Sequence, residues 1–177
     1  MIRPILIHPD PRLKKVCAPV AGVDAAVRAL MADLLQTMYG APGIGLAAPQ
    51  VGILSRVLVI DCNTGEDDEP DPVCLANPEI TWSSEAAHEH EEGCLSIPEI
   101  YAMITRPDAV RVRYLDRAGR EIEREFHGVQ ATCVQHEIDH LSGKLFIDYL
   151  SPTRRQMITG KMKKLKRERA RTRTAAE

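Results

Sequence analysis

The chain has 177 residues, 44% of them hydrophobic and 27% charged, which is the composition of a globular protein long enough to bury a core without disulfides. No apolar run reaches transmembrane length and prolines interrupt the N-terminal stretch, so we expect neither a membrane span nor a secretory signal. The net charge of −2 is unevenly divided, because residues 151–177 carry ten Lys or Arg and two Glu (+8), which leaves −10 on residues 1–150.

The first regular element that the sequence predicts is an amphipathic helix over residues 24–39. Asp24 is a suitable N-cap, and six apolar residues repeat at helical spacing behind it. They are Val27, Leu30, Met31, Leu34, Leu35 and Met38. The stretch "GAPGIGLAAPQVG" is too rich in Gly and Pro to continue this helix. A buried strand at 55–61 and an exposed acidic loop at 62–72 are predicted after it.

The middle of the chain is predicted to consist of strands. Residues 73–82 and 84–96 are interpreted as strands, and the stretches 109–116 and 121–127 as a hairpin that turns around Gly119. A sheet of mostly antiparallel strands follows from this order.

A second helix is predicted over residues 129–142. Helical spacing puts four apolar residues on one face and a cysteine with two histidines on another. The first set is Ala131, Val134, Ile138 and Leu141, and the second is Cys133, His136 and His140. Gly143 is placed to end the helix, and a last helix begins near Pro152. We therefore predict an α+β fold, with mostly antiparallel sheets packed around this central helix and further helices towards the N- and C-termini.

The central helix contains the sequence "HEIDH", in which His136 and His140 lie one turn apart and point the same way. This spacing suits two nitrogen ligands of a tetrahedral Zn²⁺ or Fe²⁺. Glu137 can reach a water on the metal without binding the metal itself, as in other HExxH enzymes. Such a short pattern also occurs by chance on surface helices, but the apolar face opposite favours the metal site.

A catalytic metal needs a third protein ligand and one open position. No His or Cys occurs after His140, so the ligand must come from upstream. The best candidate is Cys94 in "EEGCLSIP", because a thiolate is a strong soft ligand and Gly93 allows a close backbone approach. The other cysteines, at 17, 62, 74 and 133, are interpreted as small buried hydrophobes. The odd, scattered set favours a reducing cytoplasm over a disulfide framework.

Three stretches together resemble peptide deformylase: "GIGLAAPQ" at 43–50, "EGCLS" at 92–96 and "QHEIDHLSG" at 135–143. Their order, their separations and the chain length are similar to the bacterial type with a basic C-terminal helix, over nearly the whole chain. The resemblance implies a metal-dependent hydrolase that removes the formyl group from the N-terminal formyl-methionine of nascent polypeptides and releases formate. Residues 1–150 would then be the catalytic domain, and 151–177 the basic helix and tail.

The resemblance also implies roles for individual residues. Cys94 and the two histidines of the central helix would bind one divalent metal ion, characteristically Fe²⁺, with Zn²⁺ or Ni²⁺ as substitutes. Glu137 would be the catalytic acid and base. Gln50 and the backbone N–H of Leu95 would stabilise the oxyanion.

The glycine-rich stretch is interpreted as a wall for the substrate. Gly43 and Gly45 let the backbone approach an extended peptide, which could pair with it by strand addition, and Ile44 offers an apolar contact. Walls from Val129 and Cys133 would complete a pocket that suits an unbranched methionine side chain. The same glycine-rich stretch could also be interpreted as a nucleotide-binding loop, but this interpretation is weaker because no lysine that could bind a phosphate follows it.

Two positions depart from the resembled family and concern side-chain preference rather than the reaction. Thr132 stands where an aliphatic residue is commoner beside the methionine pocket, and Glu99 stands where many members have glycine. Glu92 and Arg106 are either two solvated charges or a pair that fixes the loop of Cys94, and the resemblance favours the pair.

Three other interpretations stay open at this point. His88 and His90 alternate along a strand and form a competing HxH pair, although a polar strand face explains them. A metallo-peptidase of HExxH type would need a third ligand downstream of the helix. A ribosome-associated binding protein with a vestigial site would not need the complete set of site residues.

The basic segment 151–177 suggests a polyanionic partner. Ile158, Met162 and Leu165 form a thin apolar stripe that could hold its first turns on the body, and basic residues dominate beyond it. A solvated helix that frays is the plainer alternative. In the resembled family this helix is associated with ribosome docking near the exit of the nascent chain. We therefore expect a monomeric, cytoplasmic enzyme tethered to ribosomal RNA.

Overall fold

The computed structural model describes residues 1–63, 65 and 69–174, with side chains as far as residue 172. In this part of the chain the α-helices are α1 (Ala25–Gly40), α2 (Gly128–Leu141) and α3 (Pro152–Thr174). The strands are β1 (Gly45–Ala47), β2 (Val57–Ile60), β3 (Val73–Ser83), β4 (Ala87–Cys94), β5 (Ile97–Pro107), β6 (Ala109–Leu115) and β7 (Glu121–His127). Short 3₁₀ helices span Pro11–Lys14, Ala48–Val51 and Phe146–Tyr149.

The strands form two antiparallel sheets. Five of them pair in the order β1-β2-β3-β6-β7, and β4 and β5 form a separate hairpin. The hairpin has a register irregularity between Gly93 and Cys94. The predicted α+β fold with mostly antiparallel sheets is confirmed.

Helix α2 lies at the centre because one of its faces is entirely apolar. Ala131, Val134 and Leu141 are completely buried, and Ile138 packs against the same cluster. The cluster also includes inward-facing residues of β2, β3, β6 and β7, so the helix rests on the five-stranded sheet. Gly143 follows the helix with φ +72°, a left-handed conformation that favours glycine. The opposite face of α2 is thereby fixed towards the β4–β5 hairpin.

Most of the predicted elements are confirmed within one to three residues. Asp24 caps α1 through a 2.8 Å hydrogen bond from the Val27 N–H. Part of the predicted acidic loop, residues 64 and 66–68, lies outside the described residues. Strand β5 was not predicted from the sequence. Its inward residues alternate, but the inward position at its end is the charged Arg106, which obscures the apolar pattern of a half-buried strand.

Helix α3 begins at Pro152, as predicted, and continues to Thr174. Ile158 and Met162 are buried and Leu165 packs against the same cluster, so the predicted apolar stripe does hold the first turns on the body. The last residues of the predicted tail, 175–177, lie outside the described part of the chain. No helix among the described residues is long and apolar enough to cross a membrane.

Candidate functional site

Three potential metal ligands converge where α2 faces the β4–β5 hairpin. The ligand atoms of Cys94, His136 and His140 all lie within 4.8 Å of one another, and no other such group occurs among the described residues. Cys94 Sγ is 3.4 Å from His140 Nε2. Both histidines are buried and the cysteine is half-buried. The thiol selected from the sequence therefore stands beside the two histidines of the helix.

The donor set fits a divalent transition metal. A tetrahedral ion with bonds of about 2.0–2.1 Å to nitrogen and about 2.3 Å to sulfur holds its ligand atoms about 3.5 Å apart. The observed distance of 3.4 Å between Cys94 Sγ and His140 Nε2 agrees with this. One thiolate and two imidazoles suit Fe²⁺, Zn²⁺ or Ni²⁺, whereas Mg²⁺ and Ca²⁺ prefer oxygen ligands.

The two histidines have opposite electrostatic environments. Burial disfavours the charged form of His136, but hydrogen bonds to Cys94 and Glu92 outweigh it, and its pKa is well above the ordinary value. Burial and the neighbouring His136 lower the pKa of His140 well below its ordinary value. Both histidines would have to bind a metal as neutral imidazoles, so a metal ion would displace the proton from His136.

A buried ion pair orients the first histidine. His136 Nδ1 lies 2.8 Å from Glu92 Oε2, and the Arg106 guanidinium donates to both oxygens of the same carboxylate. The side chains of Glu92 and Arg106 are each 4% exposed, so the expected pair is confirmed and two solvated charges are excluded. Although burial opposes ionisation, the bonds to His136 and Arg106 keep the pKa of Glu92 below its ordinary value. A carboxylate on one ring nitrogen leaves the other free for the metal.

The network extends further than the sequence suggested. Arg106 also donates to Asp139 at 3.0 Å, and the Tyr149 hydroxyl donates to the same carboxylate at 2.7 Å. The guanidinium lies 5.0 Å from the centre of the Tyr149 ring. Sequence reasoning missed Asp139 and Tyr149, and the only available signal was that Asp139 lies inside the "HEIDH" motif.

Glu137 is buried next to the ligands without making an ion pair in the described structure. Burial raises the pKa of its carboxyl to about 7. No described residue bonds to its Oε2 atom, and a Cβ atom added to Gly45 would lie 2.5 Å from Oε1. An unpaired buried carboxyl with a pKa near neutrality is typical of a group that gains and loses a proton during catalysis.

The Gln50 amide is fixed with its NH₂ group towards the cysteine. Its Oε1 accepts a 2.8 Å hydrogen bond from the Ala47 N–H, and its Nε2 lies 3.2 Å from Ser96 Oγ and 3.5 Å from Cys94 Sγ. Leu95 lies between β4 and β5, directly after the cysteine. Ser96 was not identified from the sequence, because its link to Gln50 joins residues 46 positions apart.

A cleft of about 510 Å³ opens in front of these groups. All five residues predicted to bind the substrate line it, and so do five of the six predicted catalytic or metal-binding residues. The first set is Gly43, Ile44, Gly45, Val129 and Cys133, and the second is Gln50, Cys94, Leu95, His136 and Glu137. His140, which is 1% exposed, does not line the cleft.

Gly43, just before β1, and Gly45, at its start, allow the cleft wall to lie close to its neighbours. A Cβ atom on Gly43 would come within 2.7 Å of the Leu95 side chain, and one on Gly45 within 2.9 Å of Cys133 Sγ. β1 is an edge strand that pairs with β2 alone in the described sheet. An extended peptide can therefore add to its outer edge.

The structure shows the surroundings of the two positions that depart from the resembled family. Glu99 adopts φ +63°, in the left-handed region where glycine is favoured. Thr132 lines the cleft, and its Oγ1 lies 3.5 Å from His88 Nε2, while His88 Nδ1 is bonded to Asp108. The hydroxyl thus has a polar partner outside the cleft. Since His88 pairs with Asp108, the competing metal pair of His88 and His90 gains no support.

Comparison with known proteins agrees with this geometry. The sequence profile of the polypeptide deformylase family matches residues 2–156. The chain belongs to this family. A peptide deformylase of Methylocella silvestris is 58% identical over 165 residues, which cover 92% of this chain and 84% of the relative.

Two solved structures extend the similarity to the fold. The crystal structure of peptide deformylase from Ehrlichia chaffeensis superposes with a TM-score of 0.91 at 38% identity, covering 96% of this chain and 99% of that one. A class I type b peptide deformylase from Acinetobacter baumannii, solved with Met-Ala-Ser bound, gives a TM-score of 0.78 at 34% identity, covering 85% and 99%.

Membership of the deformylase family establishes the activity. The chain is a metal-dependent hydrolase that removes the N-formyl group from nascent polypeptides. Its metal-binding group is the Cys/His/His cluster at α2. The metallo-peptidase and vestigial-site interpretations are therefore wrong.

Proposed function

We propose that Cys94, His136 and His140 hold a single divalent ion, Fe²⁺ in the native enzyme with Zn²⁺ or Ni²⁺ as substitutes, and that this ion and Glu137 hydrolyse the formyl group of formyl-methionyl peptides. The convergence of the three ligands at one end of the cleft carries the proposal. A bound ion would supply Lewis-acid activation of water and of the formyl carbonyl.

Proton transfer is assigned to Glu137. A formamide is stabilised by resonance, so hydrolysis requires a base for the attacking water and an acid for the departing amine. The Glu137 carboxyl has a pKa of about 7, and its Oε2 lacks a partner among the described residues. It can therefore accept the proton of the water at neutral pH and donate it to the amine later in the same turnover.

Stabilisation of the negative charge on the former formyl oxygen is assigned to the side chain of Gln50 and the backbone N–H of Leu95. The Gln50 NH₂ group is already directed towards Cys94 by the bond that fixes its other amide atom. The Leu95 N–H follows Cys94 in the chain. Loss of one such donor in other enzymes costs on the order of 10²–10³ in rate.

The substrate is proposed to lie along β1 with its first side chain in the pocket beside α2. Ile44 and Val129 are partly exposed at the cleft, and Cys133 forms its buried wall. A thioether fits such an aliphatic pocket without strain. The Met-Ala-Ser ligand of the Acinetobacter baumannii enzyme has the same N-terminal residue.

The metal assignment is tested by Cys94→Ser in protein purified without oxygen. We expect an unchanged fold but reduced or altered metal content, measured by elemental analysis, together with reduced formate release. Cys74→Ser is the matched control, because Cys74 is a buried thiol on β3 outside the cleft. A Cys94→Ser protein that binds metal and turns over like the parent would overturn the assignment.

The substrate assignment is tested with peptides that differ in one group. Formyl-Met-Ala-Ser should release formate, whereas acetyl-Met-Ala-Ser should not be hydrolysed. Formyl-Met peptides should react much faster than formyl-Asp peptides, since the pocket offers aliphatic walls. Equal rates for the last two would end the proposal of a methionine pocket.

We further propose that the basic end of α3 tethers a monomeric, cytoplasmic enzyme to ribosomal RNA near the exit of the nascent chain. The family profile ends at residue 156, close to the predicted limit of the catalytic domain at 150. Basic side chains dominate beyond the buried stripe of α3, and each phosphate contact would release counterions. The five cysteines of the chain are all free, which agrees with a reducing compartment.

Deletion of 166–177 tests the tether. Turnover of a short formyl-peptide should remain nearly unchanged, while salt-sensitive co-sedimentation with ribosomes should weaken. Arg167→Ala with Arg169→Ala should weaken it in part, whereas Arg117→Ala with Arg120→Ala, at the exposed turn between β6 and β7, should not. Unchanged co-sedimentation after the deletion would refute the tether.

A further inference from the structure

A polar cluster borders the cleft beside α2. Thr132 lines the cleft, is 4% exposed, and directly precedes Cys133 in the wall of the proposed methionine pocket. Its hydroxyl lies 3.5 Å from Nε2 of His88 on β4, and Nδ1 of the same ring is bonded to the Asp108 carboxylate. Neither His88 nor Asp108 lines the cleft. The one polar atom of the Thr132 side chain is therefore bonded to a group behind the cleft wall.

The carboxylate determines the direction of both hydrogen bonds. An ionised carboxylate can only accept, so Nδ1 of His88 donates to Asp108, and Nε2 of the neutral ring accepts from the Thr132 hydroxyl. The hydroxyl proton is thereby directed away from the cleft. A substrate side chain in the pocket then meets carbon atoms of Thr132 rather than a hydrogen-bond donor.

The His88 ring is itself fixed relative to the helix that carries Thr132. The Asp108 carbonyl accepts a 3.1 Å hydrogen bond from the N–H of Gly128, which is the first residue of α2. The ring of His90, which does line the cleft, stands edge-on to the His88 ring, with 5.9 Å between the ring centres. Asp108 and His90 thus hold the His88 ring in one orientation beside α2.

We propose that His88 and Asp108 are positioning residues, which fix Thr132 in the orientation that keeps the methionine pocket apolar and so determine the preference for formyl-methionyl substrates. The inference rests on the proposed function, because it deepens the assignment of that pocket. It gives a role to two residues that lie outside the cleft and take no part in proton transfer.

A threonine at this position needs such a constraint because a helical threonine has two accessible side-chain orientations. Its hydroxyl can also bond to the backbone carbonyl three or four residues earlier, so loss of the histidine would release the side chain to rotate. Rotation of Thr132 would bring the hydroxyl towards the apolar wall that includes Val129 and Cys133. A polar group buried there against an apolar substrate side chain is unfavourable.

The test compares formyl-Met-Ala-Ser with formyl-Ala-Ala-Ser, because an alanine side chain does not fill the pocket. The ratio of the two kcat/KM values measures the preference for methionine and does not change with a general loss of activity. His88→Ala should lower this ratio on the order of tenfold, which is typical of a change of one group in an apolar pocket. Asp108→Ala, which releases the His88 ring, should lower the ratio as well.

His127→Ala is the matched control for loss of a histidine. Nε2 of His127 lies 3.2 Å from the Glu125 carboxylate, so this ring also contacts an acidic partner, but it is exposed and does not line the cleft. The ratio should be the same in His127→Ala as in the parent.

Thr132→Val shows whether His88 acts through the threonine. Valine presents a methyl group in either orientation, so this variant should keep the preference for methionine, and adding His88→Ala to it should no longer lower the ratio. The inference is overturned if His88→Ala leaves the ratio unchanged, or if it lowers the ratio equally with threonine and with valine at 132. A parent enzyme without any preference for formyl-Met over formyl-Ala would overturn the methionine pocket itself, and this inference with it.

Discussion

Replacement of Arg106 by methionine tests whether the buried ion pair supports both the fold and the metal centre. Arg106→Met keeps much of the side-chain volume but removes the donors to Glu92 and Asp139. The Glu92 carboxylate would then be 4% exposed and without its main counter-charge. Removal of one partner of a buried pair typically costs about 3–5 kcal/mol, a large share of a typical total stability of about 5–15 kcal/mol.

The assay is urea unfolding of the metal-loaded protein, followed by circular dichroism, with metal content measured in parallel. We expect a clear shift of the midpoint and a metal affinity about 10–100-fold weaker, because Glu92 also orients His136. Arg113→Met is the matched control: its pair with Glu79 is 2.7 Å long but exposed, so little change is expected.

A double substitution separates the unpaired charge from the lost packing. Arg106→Met with Glu92→Gln removes both charges and should be less destabilised than Arg106→Met alone, although only the double variant deprives His136 of its carboxylate partner. The reasoning is refuted if Arg106→Met unfolds at the same urea concentration as the parent, or if it is destabilised no more than Arg113→Met.

Four further variants test other parts of the structure. Glu137→Gln should retain the metal and lose most formate release; loss of the metal, or near-full activity, would contradict its role as a proton carrier. Gly45→Ala should lower the turnover rate by a factor on the order of 10², because the new Cβ would displace Glu137. Gly160→Ala, at an exposed position of helix α3, should raise the free energy of unfolding by up to about 1 kcal/mol. If Gly45→Ala turns over like the parent, the close approach does not matter. Asp148→Asn should destabilise at neutral pH: although burial opposes ionisation, bonds to Lys14 and the backbone lower the pKa of Asp148. Because the pKa of Asp148 is lower in the folded state than its value of about 3.9 in the unfolded state, the carboxylate stabilises the fold above about pH 4, and this stabilisation is lost as the pH falls through the folded-state pKa. The difference in urea midpoint between parent and variant should therefore shrink below about pH 4. A difference that grows as the pH falls would show that another group dominates.

Local periodicity was sufficient to predict several parts of this enzyme from its amino-acid sequence. The spacing of His136, Glu137 and His140 requires only the geometry of one helical turn, and Cys94 was selected because no other ligand follows the helix. The cap at Asp24 and the β6–β7 hairpin are likewise determined by neighbours in the chain. The resemblance of three short motifs added the reaction, which the family comparison confirmed.

Which distant residues meet depends on how the folded chain packs. Gln50 reaches Ser96 and Arg106 reaches Asp139 because strand register and helix packing bring them together. Such contacts join segments tens of residues apart, and no local pattern encodes their alignment. Strand β5 was missed for a related reason: a buried charge occupies an inward position there, and it is stable only because its partners arrive from another strand and from α2.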